Sequence, residues 1–313
     1  MIVLHLPSHV KSVLPDILNR AGKLPACHPK DKQEILPGCI YIAPPDYHLL
    51  VKPGYISLVR GPRENNHRPA IDPLFRSAAR AYGKAVFGVV LTGVLDDVTA
   101  GLLAIKLRGC MVVVQNPEDT LYPGMPRSAI ENVDDIDYIL PLSEIPSVLV
   151  KLANTSIEAE AEKPVSHEME IKTDLVDMDM STFNNDDRAG KPSTFACPDC
   201  GGTLWELEQK NLLRFRCRIG HAYSLESLLA KQSDALEDAL WFALRALEEK
   251  ASLARRMGKR MRDRYQTLAA ERFEEQAEDA IARANVIRET LLLGKTIPQS
   301  KSKCCSPLIR YDN

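Results

Sequence analysis

Apolar positions follow two rhythms in the first half of the chain. Short continuous or alternating runs at 40–43, 49–51 with 56–59, 85–91, 111–114 and 138–140 predict strands. Three- and four-residue spacings predict helices over 12–21, 72–82, 100–108 and 126–132. The stretch Phe87–Leu91 is apolar throughout, as expected of a strand covered on both faces of a parallel sheet. Between two apolar runs, Lys52, Pro53, Gly54 and Tyr55 form a turn signal, which predicts a hairpin over 48–59 at a sheet edge. Strands alternating with helices predict an α/β domain over residues 1–152 with a mostly parallel, doubly wound sheet. Met1–Leu4 is expected to be a strand too. A βα unit would ordinarily precede such a strand, so the first βα unit of the sheet is expected to be missing.

The pattern then changes. Residues 155–190 hold ten acidic residues against three basic ones and show no sustained period. One-sided charge with little apolar surface cannot offset the cost of ordering a chain, so 153–193 is expected to be a disordered acidic linker. A small zinc-ribbon-like module bearing cysteines is expected at 194–223, with a β-hairpin built from Leu204–Leu207 and Leu212–Arg216. From Ser224 a helical period returns with Leu225, Leu228, Leu229, Leu236, Leu240, Leu244 and Leu247. A second helix over about 269–293 places Phe273, Ala277, Ala280, Ile281, Ala284, Ile287 and Leu291 on one face. An antiparallel helical hairpin over 224–294 follows, suited to homodimerisation or docking, with a tail at 295–313.

Composition removes several function classes. The 313 residues are 45% hydrophobic and 26% charged with a net charge of −2, so no global basic field recruits nucleic acid. No stretch reaches the roughly 18 apolar residues that cross a bilayer, and the first residues do not resemble a signal peptide; a cytoplasmic location is expected. Of the eight cysteines, Cys27, Cys39 and Cys110 stand alone as small apolar residues, and Cys304 and Cys305 fall in the tail. Cys197, Cys200, Cys217 and His221 have the layout C-x2-C-x16-C-x3-H. Four such ligands suit a closed, structural zinc site rather than a catalytic one; the bland alternative is a compact hairpin with reduced cysteines. Arg214, Arg216 and Arg218, and the basic run between Arg255 and Arg264, would serve a zinc-dependent nucleic-acid binder. Glu206, Glu208, Glu226, Glu248 and Glu249 interleave with them, which favours a solvated surface instead.

Candidate chemistry lies at strand ends. His5, the segment Thr92–Asp97 and the segment Tyr122–Arg127 each follow a predicted strand, where α/β sheets gather their ligands. A His backed by an Asp is two-thirds of a nucleophilic triad. On spacing alone, Asp96 and Asp97 also read as a helix cap and a dipole-compensating charge.

Four collinear segments carry a resemblance. Residues 36–50 (LPGCIYIAPPDYHLL), 66–77 (NHRPAIDPLFRS), 91–103 (LTGVLDDVTAGLL) and 123–129 (PGMPRSA) are similar to segments of the CheB-type protein-glutamate methylesterases. The resemblance implies a chemotaxis enzyme that hydrolyses glutamate methyl esters on chemoreceptors to glutamate and methanol. It implies no catalytic cofactor, and His5 as general base with Asp97 orienting it. Arg76, Val94 and Met125 are its candidate substrate-seating residues. Where the family has a second Gly and a Gly after the Asp, this chain has Leu95 and Val98. The family's serine nucleophile sits in a Gly-rich turn about thirty residues before the His, and no such turn precedes His5; the expectation is a start internal to a longer product or, alternatively, a truncated and inactive relative, in a stand-alone form without the family's receiver domain. As it stands the chain is expected not to catalyse. Neither Ser8 nor Ser12 lies in such a turn. Expected partners are a methylated receptor or receptor-like protein and a signalling kinase or methyltransferase; the alternative is an inactive adaptor that docks receptors or a signalling kinase through the helical module.

Overall fold

The computed structural model describes residues 1–94, 96–155, 190–209 and 212–293. Leu95, most of the acidic linker and the whole tail with Cys304 and Cys305 lie outside the described residues. The chain divides into two compact units, Met1–Lys231 and Gln232–Asn313.

The first unit opens with α1 (Leu14–Ala21), which has Pro15 in its first turn, where a missing N–H costs nothing. Three short strands follow: β1 (Ala26–Cys27), β2 (Gln33–Glu34) and β3 (Ile40–Tyr41). The hairpin strands β4 (His48–Lys52) and β5 (Tyr55–Val59) turn at Gly54, whose φ of +84° suits a residue without Cβ. They pair antiparallel with β2 in the order β2-β5-β4, a sheet of their own rather than the edge of the parallel one. The expected strand at Met1–Leu4 is reduced to one parallel bridge between Ile2 and Ile42. Its two backbone hydrogen bonds, Ile2 N to Tyr41 O and Ile2 O from Ala43 N, still aim the chain so that His5 follows immediately.

The parallel sheet has β6 (Phe87–Val90), β7 (Met111–Gln115) and β8 (Tyr138–Leu140) in that order. Helices α3 (Thr99–Leu107) and α4 (Gly124–Asn132) make the crossovers. Val90, Val112 and Val114 point to one face, against Leu102, Ile105 and Ala129. Phe87, Val89, Met111 and Val113 point to the other, against Ile145, Val148 and Leu152 of α5 (Ile145–Ala153). Helices thus cover both faces, which is why these strands read as unbroken apolar runs. The doubly wound α/β architecture stands. Helix α2 (Ile71–Tyr82) bridges the two cores: Leu74 packs on the β4–β5 hairpin, while Ile71 and Phe75 lie against the parallel-sheet core.

The cysteine-bearing part is a four-stranded antiparallel sheet: β9 (Lys191–Ala196), β10 (Thr203–Gln209), β11 (Leu212–Cys217) and β12 (Ala222–Ser224), in sequential order. Strand β9 pairs with β10 through an irregular register between Thr203 and Trp205. Helix α6 (Leu225–Arg262) leaves directly from β12. In the second unit α6 and α7 (Thr267–Leu293) pack antiparallel, with Leu244, Ala284 and Leu291 at the seam and Glu248 paired with Arg288. A Cβ at Gly258 would lie 3.4 Å from the Ala270 carbonyl oxygen, so the helices come close there. Leu236 is 63% exposed, although its period predicts burial.

Candidate functional site

Two loops at the carboxyl ends of β6 and β7 are tied to each other. The Gly93 N–H donates to the Tyr122 carbonyl, and the Met125 N–H donates to the Gly93 carbonyl, both at 2.9 Å. Thr92 accepts from the Tyr122 N–H through its hydroxyl. A side chain at Gly93 would strike Met125, since a Cβ there falls 2.7 Å from the Met125 Cε. Met125 is buried beside this turn, whereas Val94 is 58% exposed.

Asp97 stands at the foot of the same loop, just before α3. Its Oδ2 meets His5 Nε2 at 2.6 Å and accepts the Ile71 N–H at 2.9 Å; its Oδ1 accepts from the Asn65 amide at 3.0 Å. The carboxylate is fully buried. Burial alone would push its pKa up, but the hydrogen bond and charge of His5, with the Ile71 N–H, outweigh it and hold the pKa down. His5 stacks flat on His67, ring centroids 3.7 Å apart. Burial and the neighbouring His5 charge bring His67 down to about 4, so it is neutral near pH 7. The arrangement can do one thing clearly: hold an imidazole in a fixed orientation with an anion behind it. Of the two serines near His5, Ser8 is exposed and Ser12 accepts the Leu14 N–H.

Behind this pair lies a charge cluster that sequence reasoning missed. Glu64 is fully buried and accepts from Arg76 and Arg216, each at 2.7 Å, and from Arg214 at 3.4 Å. Arg214 also reaches Asp72 at 3.0 Å. Burial works to raise the Glu64 pKa, but the three guanidiniums outweigh it and hold the carboxyl far below the usual range. Asp72 goes the other way: burial raises it, and the nearby Asp97 charge adds to that. The expected substrate-seating Arg76 is therefore committed elsewhere. It is 2% exposed and locked to Glu64. Arg214 and Arg216, read from the sequence as part of a solvated basic surface, are in fact 3% and 6% exposed. The available signal was an Arg-x-Arg alternation inside an otherwise apolar strand.

Cys197, Cys200, Cys217 and His221 come together as a group whose ligand atoms all lie within 4.8 Å of one another. The spacing of Cys200 Sγ to Cys217 Sγ is 3.6 Å, and Nδ1 of His221 lies 3.7 Å from Cys197 Sγ and 3.5 Å from Cys217 Sγ. A tetrahedron with zinc–sulfur bonds of about 2.3 Å has edges of about 3.8 Å. The donor set fits such an ion. The hydrogen bond between the Cys197 and Cys217 sulfurs pushes the first thiol down and the second up, as for one proton held between two sulfurs.

Comparison with known proteins places the α/β part. Residues 1–149 match the family model described as CheB methylesterase. A protein of Leptospira interrogans, provisionally named protein-glutamate methylesterase/protein-glutamine glutaminase, is 37% identical over 159 residues, which span 50% of this chain and 82% of that one. The chain belongs to the CheB methylesterase family. A protein-glutamate methylesterase/protein-glutamine glutaminase of Chromohalobacter salexigens is 37% identical over 164 residues, 51% of this chain and 46% of its own. The crystal structure of the Thermotoga maritima CheB methylesterase catalytic domain is similar at 34% identity and a TM-score of 0.46, over 48% of this chain and 81% of that one. The family match ends before the cysteine-bearing sheet begins.

Proposed function

We propose that the α/β part, residues 1–152, performs the acid–base chemistry of protein-glutamate methylester hydrolysis on chemoreceptors. The observation that carries this reading is the 2.6 Å contact of His5 with the buried Asp97, at the loop ends of a CheB-family fold. Given an attacking serine hydroxyl beside it, which neither Ser8 nor Ser12 supplies, His5 takes its proton and returns it to the methoxide that leaves; Asp97 keeps the ring oriented and balances the imidazolium. Water then releases the glutamyl ester from the serine by the same steps in reverse order. The relatives' names also include glutamine deamidation, which needs the same attack on a side-chain carbonyl. Met125, packed against Gly93, shapes the loop beside the ester, and Val94 supplies an exposed apolar contact.

The test is methanol release from methylated receptor by the protein. His5→Ala is expected to lose on the order of 10⁶-fold in turnover, as when one member of a concerted triad is removed. Undiminished release by that variant would refute the assignment. If the parent protein releases no methanol, the second reading applies: an adaptor that docks receptors, or a kinase or methyltransferase, through α6 and α7. The exposed Trp241, Phe242 and Val286 favour docking or homodimerisation there. In the cysteine-bearing sheet, we assign Cys197, Cys200, Cys217 and His221 to a structural zinc ion. All four positions are protein ligands, so the ion's contribution is to tie the β9–β10 connection to the turn between β11 and β12.

A further inference from the structure

The cysteine-bearing sheet does more than lie beside the candidate site. Its edge strand β12 is hydrogen-bonded to the segment Arg63–Asn65: the Asn65 N–H donates to the Ala222 carbonyl at 2.7 Å, and the Ala222 N–H donates to the Arg63 carbonyl at 3.2 Å. Asn65 is 1% exposed and adopts a left-handed backbone, φ +49°. Its side-chain oxygen accepts from the Ser224 N–H at 2.9 Å and from the Ser227 hydroxyl at 3.2 Å. Its side-chain nitrogen donates to Asp97 at 3.0 Å and to Asp72 at 3.3 Å. Both hydrogens and both lone pairs of the amide are thereby used. A flipped amide would set its oxygen against two carboxylates and its NH₂ against two donors. The Ser224–Ser227 corner therefore decides which end of Asn65 faces Asp97.

We propose that this corner and Asn65 are positioning residues of the esterase site: the cysteine-bearing sheet, through them, fixes the Asp97 carboxylate that orients His5. The proposal rests on the esterase reading for its catalytic meaning, but its geometry stands apart from it. Asp97 Oδ2 is held by His5 and Ile71, and Asn65 is the group that holds Oδ1. With Oδ1 released, the carboxylate can turn about its Cβ–Cγ bond and the short bond to His5 loses its fixed direction. The same sheet brings Arg214, which spans Asp72 and Glu64 beside Asp97, so positive charge and orientation arrive on one element. Outer residues of this kind typically change activity by roughly 10- to 100-fold.

The experiment follows the proton on His5 Nε2 by NMR in the full chain, assigned by its loss in His5→Gln. A proton in a 2.6 Å bond to a carboxylate resonates far downfield. Asn65→Gly keeps the left-handed backbone and removes the amide; Ser227→Ala removes one hydroxyl and covers the case in which the first variant fails to fold. The expected result is loss or a marked upfield shift of the signal in Asn65→Gly, a smaller shift in Ser227→Ala and, where the parent protein releases methanol, a roughly 10- to 100-fold fall in kcat with KM little changed. An unchanged signal in a folded variant, or no such signal in the parent protein, would overturn the proposal. Should the signal respond as expected while the parent protein hydrolyses no ester, the positioning stands and the esterase reading falls.

Discussion

Replacing Glu64 by Gln keeps the side chain's shape and removes one buried negative charge. Glu64 is the shared partner of Arg76, Arg214 and Arg216, all nearly or fully buried. After the change Arg214 still has Asp72 at 3.0 Å, and Arg76 has the same carboxylate only at 4.0 Å. Arg216 is left stranded: among the described residues its Nε and Nη1 already have no partner, and burial has pulled its pKa down to about 10. Breaking a buried ion pair by removing one partner typically costs about 3–5 kcal/mol. For a unit of this size that corresponds to a fall in melting temperature of roughly 6–20 °C. Calorimetry and urea unfolding of the full chain, following the transition of the first unit, measure it. The double variant Glu64→Gln/Arg216→Met removes the stranded cation together with its partner and is expected to recover a large share of the loss. A cost below about 1 kcal/mol for Glu64→Gln alone would refute the account of a dry, charge-balanced cluster.

Asp96 sits 7% exposed under the Ser224 hydroxyl, and burial raises it from 3.8 to about 6 despite that hydrogen bond. Because the folded value is the higher one, its stabilising effect is complete below about pH 4 and is lost as pH rises through 6. Asp96→Asn should therefore stabilise the first unit by up to about 3 kcal/mol at pH 8 and by almost nothing at pH 4; an equal gain at both would contradict this. Chelation, or Cys200→Ser, is expected to release stoichiometric zinc and unfold the cysteine-bearing sheet, as read by metal analysis and NMR dispersion. A metal-free protein with an unchanged spectrum would exclude a structural ion. At Gly101 a Cβ would fall 2.7 Å from the Phe75 Cβ and 3.2 Å from the Asp72 backbone, so α2 and α3 must part. Gly101→Ala should cost about 1–3 kcal/mol in urea unfolding despite its better helix propensity, and a net stabilisation would count against the close packing.

The parallel sheet was legible because its strands are covered on both faces, which leaves unbroken runs such as Phe87–Val90. Short strands such as β1 and β2, two residues each, carry no period and escaped notice. His5 and Asp97 were readable through family resemblance, not through spacing, since 92 positions separate them. The groups that hold them were not readable. Asn65 and Glu64 lie in a segment with no regular period, and their partners Ser224, Arg214 and Arg216 lie about 150 positions away. A charged residue on a strand reads as solvent-facing unless something is known to cover that face. Here the covering element is the α/β part itself. The helical period overreached for the opposite reason: Leu225 and Leu229 keep the spacing yet are 57% and 65% exposed.

The four-stranded sheet closes one of its borders on residues 63–65, and among the described residues no strand pairs with the other, β9. An open border of unpaired N–H and C=O groups invites a strand from another molecule. Here Pro192 offers no N–H, Lys191 brings a charge, and the slipped register opposite Thr203 bends the strand out of line. Such a border recruits poorly, so stacking of chains through this side should be disfavoured even at high concentration.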